Sequence, residues 1–404
     1  MAVKLIFVDG ALAAGSDNGT SWENAYQGAA GLQTAFDSVD NSAGTHNLIL
    51  LRNKFTLTSR VDFDVWTGSQ YNNCWARVIG CRNSDAGTDY IPLPVGQYVE
   101  LDAAGVSGAD ALLFYTGGEN ISFENLWVHG ISSTGYAGII SKGIANTSKY
   151  NYVFRNIKIT NCHYAFRWGL SSVNERIYRF LFDNCVFSNI TSHIINSNCS
   201  AAGGVMRNSY VLIPAGCYFW NPATNPNAYY DSLYIIENNI FVGGSWVFYN
   251  CRNGNTSAPT YIVNNSFYNQ TDGIFQGYYI AGGSCLLNFY NNIVWLADSS
   301  KPILKTALSD NGGSVHYCDY NATNSTHADK WGVNTWAGDS NIQLSSCPFT
   351  DPANGNFNVN SPVLLGGGMP DYAGNVDQMG AIGRKYQFPV SARTANLGRL
   401  SIFR

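Results

Sequence analysis

Charge is what this chain most lacks. Only 12% of its 404 residues are Asp, Glu, Lys or Arg, against a usual ~25% in soluble domains. That scarcity excludes a disordered chain, which would be charged and poor in aromatics; here 45% of residues are hydrophobic, with 25 Tyr and 21 Phe. Basic character is missing too. With 23 Lys and Arg against 27 Asp and Glu, the net charge is −4, so no nucleic-acid partner is expected of the body of the protein. No apolar run reaches the ~18 residues of a membrane-spanning helix, so no membrane partner is expected either. The opening Met1-Ala-Val-Lys-Leu-Ile-Phe-Val is short and runs into a turn at Asp9. It reads as a first strand rather than a secretory leader, and the starting Met argues the same way. The 10 cysteines contain no CxxC and no Cys/His metal spacing, which points to thiols packed as small hydrophobes. Cys74 and Cys81 are the one pair whose disulfide status is left open.

What the chain does have is Gly, Asn and an internal repeat. ISFENLWV (121–128), YVFRNIKI (152–159), FLFDNCVF (180–187), GVMRNSYV (204–211), YIIENNIF (234–241), TYIVNNSF (260–267) and LNFYNNIV (287–294) align on Asn125, Asn156, Asn184, Asn208, Asn238, Asn264 and Asn291, in steps of 31, 28, 24, 30, 26 and 27 residues. Two positions before the Asn stand Phe123, Phe154, Phe182, Met206, Ile236, Ile262 and Phe289. Three positions after it stand Val128, Ile159, Phe187, Val211, Phe241, Phe267 and Val294. On one continuous strand these two columns would face opposite sides. Both reach one core only if the chain bends at the Asn, which tolerates the left-handed conformation such a bend needs. Each unit is therefore strand, one-residue corner, strand. Stacked units predict a right-handed parallel β-helix with an all-β core, and a ladder of side-chain amides running along the stacked Asn.

A solenoid must cover its ends. GAAGLQTAFDSV (28–39) puts Leu32, Phe36 and Val39 on one helical face, which predicts an N-terminal capping helix. The expected organisation is a strand and capping helix over 1–46, the β-helix over 47–384 and a basic C-terminal arm over 385–404, carrying Lys385, Arg393, Arg399 and Arg404 and no acid.

FVDGALAAGSDNGTSWENAYQGAAGLQTAFD resembles the opening segment of many bacterial and viral pectin-lyase-like β-helix proteins: a strand, a Gly/Asn-rich turn, a Ser-Trp pair and a capping helix. FTDPANGNFNVNSPVLLGGG followed by NVDQMGAIGR resembles their closing segment, a Ser-Pro turn before an Asp-x-Gly-Ala strand. This resemblance implies the fold and says little about activity, because that superfamily holds lyases, hydrolases, adhesins and phage tailspikes.

Catalysis on an acidic glycan needs a base beside the uronate and a cation to neutralise its carboxylate. The polygalacturonase pattern (Asn-Thr-Asp, Asp-Asp, Gly-His-Gly, Arg-Ile-Lys) is absent, and no carboxylate clusters of the calcium-dependent pectate-lyase kind are evident. Ionisable residues concentrate on two neighbouring coils: Lys158, His163, Arg167, Glu175, Arg176, Arg179, Asp183 and His193. A lyase would use Lys158 or His163 as base and Arg167 or Arg179 as neutraliser; the plainer reading is a solvated face. Asp351-Pro-Ala-Asn354-Gly-Asn356-Phe-Asn358 has the look of a calcium loop but lacks its terminal Glu, so it reads as a turn and no cofactor is expected. Trp168, Trp220, Tyr229, Tyr230, Trp246, Tyr278 and Tyr279 are candidates for sugar stacking, with many of them expected in the core or in subunit contacts.

The leading expectation is a structural protein of a virus (phage) particle, such as a capsid decoration, head fibre or tail spike. It would be a homotrimer in contact with other virion proteins and would bind host surface polysaccharide. The alternatives are a polysaccharide lyase or glycosidase, and a bacterial adhesin located extracellularly or at the cell surface.

Overall fold

The computed structural model describes residues 2–40, 42, 44–63, 75–115, 120–142, 148–168, 176–197, 200–222, 235–251, 260–277, 287–305, 316–331, 335–365 and 379–381. The chain winds as a right-handed parallel β-helix. Among the described residues a 23-stranded sheet and a 9-stranded sheet run along the coil, and their strand pairings are parallel. One coil illustrates the path: Ile235–Glu237, then Ile240–Gly243, both in the large sheet, then Trp246–Cys251 in the smaller one. The next coil begins at Thr260–Val263, in register beneath Ile235–Glu237. The large sheet thus supplies two walls and the 9-stranded sheet the third.

The corner between the first two walls is a single left-handed residue. Asn125, Asn156, Asn184, Asn208, Asn238, Asn264 and Asn291 all have φ between 48° and 60°, and Tyr320 (φ 55°) continues the column by one coil. Asn adopts this conformation at lower cost than other residues with a side chain. Both apolar columns flanking the corner are buried in one continuous core. Phe123, Phe154 and Phe182 stack on one another with centroid spacings of 6.0 and 5.2 Å. Phe241 and Phe267 do the same at 5.2 Å.

The amide ladder is organised differently from the expectation. Corner-to-corner bonds link Asn156 Nδ2 to Asn125 Oδ1 (2.8 Å) and Asn238 Nδ2 to Asn208 Oδ1 (2.7 Å). The unbroken ladder runs one residue later, buried from Asn239 to Asn321 and ending at the half-buried Asn341. There Asn239, Asn265, Asn292, Asn321 and Asn341 each accept, through Oδ1, the backbone N–H of Ser209, Asn239, Asn265, Asn292 and Asn321 respectively, at 2.9–3.1 Å. Their Nδ2 groups donate to backbone carbonyls of Met206, Ile236, Ile262, Phe289 and Cys318. The geometry follows from the bend: once the corner residue turns outward, the next side chain points inward.

A helix, Gly28–Asp37, lies over the first coils with Leu32, Ala35 and Phe36 buried. Its Gln33 amide donates to Asp62 O (2.7 Å) and accepts from Asp62 N–H (2.8 Å). The side chain thereby stands in for a strand beside Val61–Phe63, at the end of the 9-stranded sheet. At the other end the described coil strands finish at Thr335–Ala337 and Ile342–Gln343, and the expected boundary at 384 lies outside the described residues. The chain then folds back along the outside. An antiparallel hairpin (Phe349–Asp351 with Asn356–Val359) and a short helix (Pro362–Leu365) pack Phe349, Phe357 and Leu364 with Ile293, Ala322, Tyr210, Ile240, Val242, Tyr268 and Trp295 on the outer face of the second wall. Met379–Ala381 makes a turn held by Gly380 N–H to Asn291 O (2.7 Å) and Ala381 N–H to Ser266 Oγ (3.1 Å). The outward residues of this wall are too apolar to face water, and the closing segment covers them.

Candidate functional site

The ionisable residues grouped by sequence fall on three different parts of the coil. Lys158 projects from the second wall, its Nζ 4.3 Å from the centroid of Trp127, a cation–π contact. His163 lies at the turn into the 9-stranded sheet, with Nδ1 3.0 Å from Thr191 Oγ1. Arg167, on that sheet, places Nη1 3.3 Å from the buried Asp110 carboxylate and its guanidinium over the Tyr136 ring. Arg179 is in the first wall in a left-handed conformation (φ 58°), in a second column of such residues with Asn120, Asn151 and Gly203. Asp183 pairs with Arg207 at 2.7 Å. Glu175 lies outside the described residues, and so do the arm residues Lys385, Arg393, Arg399 and Arg404. Of the two bases and two neutralisers of the lyase expectation, His163 and Arg167 are neighbours, while Lys158 and Arg179 stand on other walls.

His193 sits with His163 near the corner of the 9-stranded sheet. Its Nδ1 accepts the Tyr218 backbone N–H at 3.2 Å, its ring stacks on Tyr218 at 4.9 Å, and Tyr218 stacks on Tyr249 at 4.1 Å. Burial, then the neighbouring His163, pushes the His193 pKa below its ordinary value; burial, then Arg167, does the same for His163. Asp110 moves the opposite way. Its burial outweighs the Ala137 N–H and Arg167 and raises its pKa.

The aromatic candidates divide cleanly. Trp168, Trp220 and Trp246 are buried at 1%, 9% and 7% exposure, so their faces pack within the protein rather than on a sugar. Tyr229, Tyr230, Tyr278 and Tyr279 lie outside the described residues. The segment from Asp351 to Asn358 is the hairpin turn. Asn354 Nδ2 donates to Asp351 Oδ2, and Gly355 takes φ 81°.

One polar cluster among the described residues was not anticipated from the sequence. On the second wall Glu100 pairs in register with Trp127, and Asp102 with His129. His129 Nε2 is 2.9 Å from Glu100 Oε1 and its Nδ1 is 3.9 Å from Asp102 Oδ1. Lys54 Nζ bonds both carboxylates, at 2.9 and 2.8 Å. Burial raises the Glu100 pKa, but hydrogen bonds from Lys54 and His129 outweigh it and the net shift is downward; for Asp102 the Lys54 bond leads, and its pKa is also lowered. Glu100, Asp102 and His129 are the one group among the described residues whose ligand atoms gather as a metal site requires, all within 4.8 Å. Lys54 already supplies a positive charge to both acids. The sequence signal was the period-two pairs Glu100-x-Asp102 and Trp127-x-His129, legible only once the 99–102 strand is registered against 126–129.

Among the described residues no helix is long and apolar enough to cross a membrane. No protein-family model matches the chain, and no curated protein matches it. Among solved structures, the chain is similar to that described as the crystal structure of pectate lyase Pel9A. The sequence identity is 16% and the TM-score 0.49, over 95% of this chain and 97% of that one.

Proposed function

We propose that this protein is a structural, non-catalytic β-helix of a virus particle, a capsid decoration, head fibre or tail spike. It assembles as a homotrimer, contacts other virion proteins and binds host surface polysaccharide. The non-catalytic part is supported by the engagement of Lys158 with Trp127 and of Arg167 with the buried Asp110, and by the place of Lys158 and Arg179 on walls other than that of Arg167. Acid–base and electrostatic catalysis both require groups converging on one reacting centre. The assembly part is supported by a chain of net charge −4 whose terminal segment bears Lys385, Arg393, Arg399 and Arg404 without an acid, a distribution suited to docking. Light scattering on the full chain and on a chain lacking 385–404 tests it. A trimer whose contacts depend on the tail supports the reading, and a strict monomer indifferent to the tail counts against it.

A second reading, an enzyme acting on an acidic glycan, is favoured by one observation. His129 is bracketed by two carboxylates on the same wall as Lys158, with Lys158 and His129 both against Trp127. Depolymerisation of an acidic glycan that is lost in His129→Ala and Lys158→Ala would establish it. No product across a broad glycan panel would dismiss it.

A further inference from the structure

The residue immediately before each corner Asn points outward, and over five consecutive coils its charge alternates: Glu124, Arg155, Asp183, Arg207, Glu237. These five are direct register partners, each facing the next across a parallel pair: Glu124 with Arg155, Arg155 with Asp183, Asp183 with Arg207, and Arg207 with Glu237. Arg207 Nη2 is 2.7 Å from Asp183 Oδ2, Arg155 Nη1 is 4.0 Å from Glu124 Oε1, and Arg77 grips both oxygens of Glu124 at 2.9 and 3.0 Å. Beyond Glu237 the row continues as Val263 and Tyr290, and the alternation ends.

The interior cannot choose among coils. Phe123, Phe154 and Phe182 are the same side chain at the same position, and Val128, Ile159 and Phe187 are all apolar. A coil stacked on the wrong neighbour would still bury its hydrophobic columns. Looping out a whole coil costs little extra closure entropy, because that cost grows only slowly with length. Such a chain would be compact and misassembled, the characteristic hazard of repeat proteins.

We propose that the row Glu124–Arg155–Asp183–Arg207–Glu237 is a register lock that forbids the omission of a coil during folding. The reason lies in the period of two. Skipping one coil sets Glu124 against Asp183, Arg155 against Arg207, or Asp183 against Glu237. Like charges directly opposite on paired strands are destabilising, so each skipped pairing is penalised and each correct one favoured. The lock ends where another device begins. The inward column after the corner reads Leu126, Ile157, Cys185 and Ser209 along the charged coils, then Asn239, Asn265, Asn292, Asn321 and Asn341, whose amides tie each coil to the next.

The discriminating experiment exchanges one pair in place. D183R/R207E keeps composition, net charge and an opposite-sign pair at 183–207, yet sets like charges against Arg155 and Glu237. A reporter is added on the outer face: Leu181→Cys and Ile235→Cys, which flank Val205 in register and so lie two coils apart. At about 4.8 Å per strand their Cα atoms are too distant for a disulfide, whose limit is about 7 Å. They meet only if the intervening coil is skipped. Chains are refolded from denaturant under oxidising conditions, and the 181–235 cross-link is mapped by mass in soluble and aggregated fractions alike. The lock predicts a several-fold lower yield of soluble protein for the exchange, with the cross-link present. It also predicts recovery of yield and loss of the cross-link when the whole row is inverted (R77E/E124R/R155E/D183R/R207E/E237R). A parental yield for the exchange overturns the proposal, and so does a lowered yield without the cross-link.

Discussion

His193 accepts the backbone N–H of Tyr218 through Nδ1 at 3.2 Å while stacking on the same residue's ring at 4.9 Å, the planes 9° apart. An accepting Nδ1 carries no proton, so the fold selects the neutral ring. The pKa of His193 is accordingly held below 6.5, by burial first and by His163 second. A depressed histidine contributes stability that is present above its unfolded pKa and lost as pH falls through the folded one. Melting temperature should therefore decline below about pH 6.5. His193→Gln should flatten that decline, and an unchanged pH profile in the variant would remove His193 as its source.

The two asparagine columns should respond very differently to truncation. Asn265→Ala strips a partner from the buried Asn239 N–H and from the Ile236 carbonyl. At ~1–3 kcal/mol for each unsatisfied buried group, the loss should be about 2–6 kcal/mol. Asn238→Ala sacrifices one bond to Asn208 and puts Ala at φ 58°, a cost of about 1–2 kcal/mol, part of which Asn238→Gly recovers. Chemical denaturation of the three variants checks the order.

Arg167 and Asp110 form a pair on which the fold depends. With Arg167→Ala, a carboxylate only 3% exposed loses its cation, a loss of about 3 kcal/mol by analogy with broken buried pairs. Asp110 already has a raised pKa because burial outweighs its partners. The penalty should thus be greatest where Asp110 is ionised and should shrink toward acid pH. Adding Asp110→Asn should restore most of the stability. A double-mutant cycle with no coupling would contradict this.

Arg179 tests whether a strained position serves chemistry or only the corner. Its φ of 58° belongs to a column otherwise filled by Asn120, Asn151 and Gly203. Arg179→Asn should leave stability within about 1 kcal/mol of the parent, whereas Arg179→Val, β-branched, should lose roughly 1–2 kcal/mol. If Arg179 neutralises a substrate carboxylate, both variants would lose glycan turnover alike, whatever their stability.

The sequence by itself determined the repeat, its corner and its core. An apolar residue two before and three after a recurring Asn can share one interior only through a left-handed bend, and local stereochemistry dictates which residue makes it. Phe154, Asn156 and Ile159 say this without any long-range information, as do their counterparts on the other coils. Residues just beside them were legible in principle and missed: the Glu-Arg-Asp-Arg-Glu alternation before the corner and the Asn run after it were present in the same alignment. What only the tertiary structure decided is which residues from unrelated loops and coils meet. Lys54 reaching Glu100 and Asp102, Asp110 beneath Arg167, Gln33 completing the edge at Asp62, and Phe357 seated on the outer wall beside Tyr210 join positions separated by anything from 29 to 147 residues. The sequence repeat sets neither the lengths nor the paths of the connections between coils, and those connections decide which side chains are carried onto the same wall.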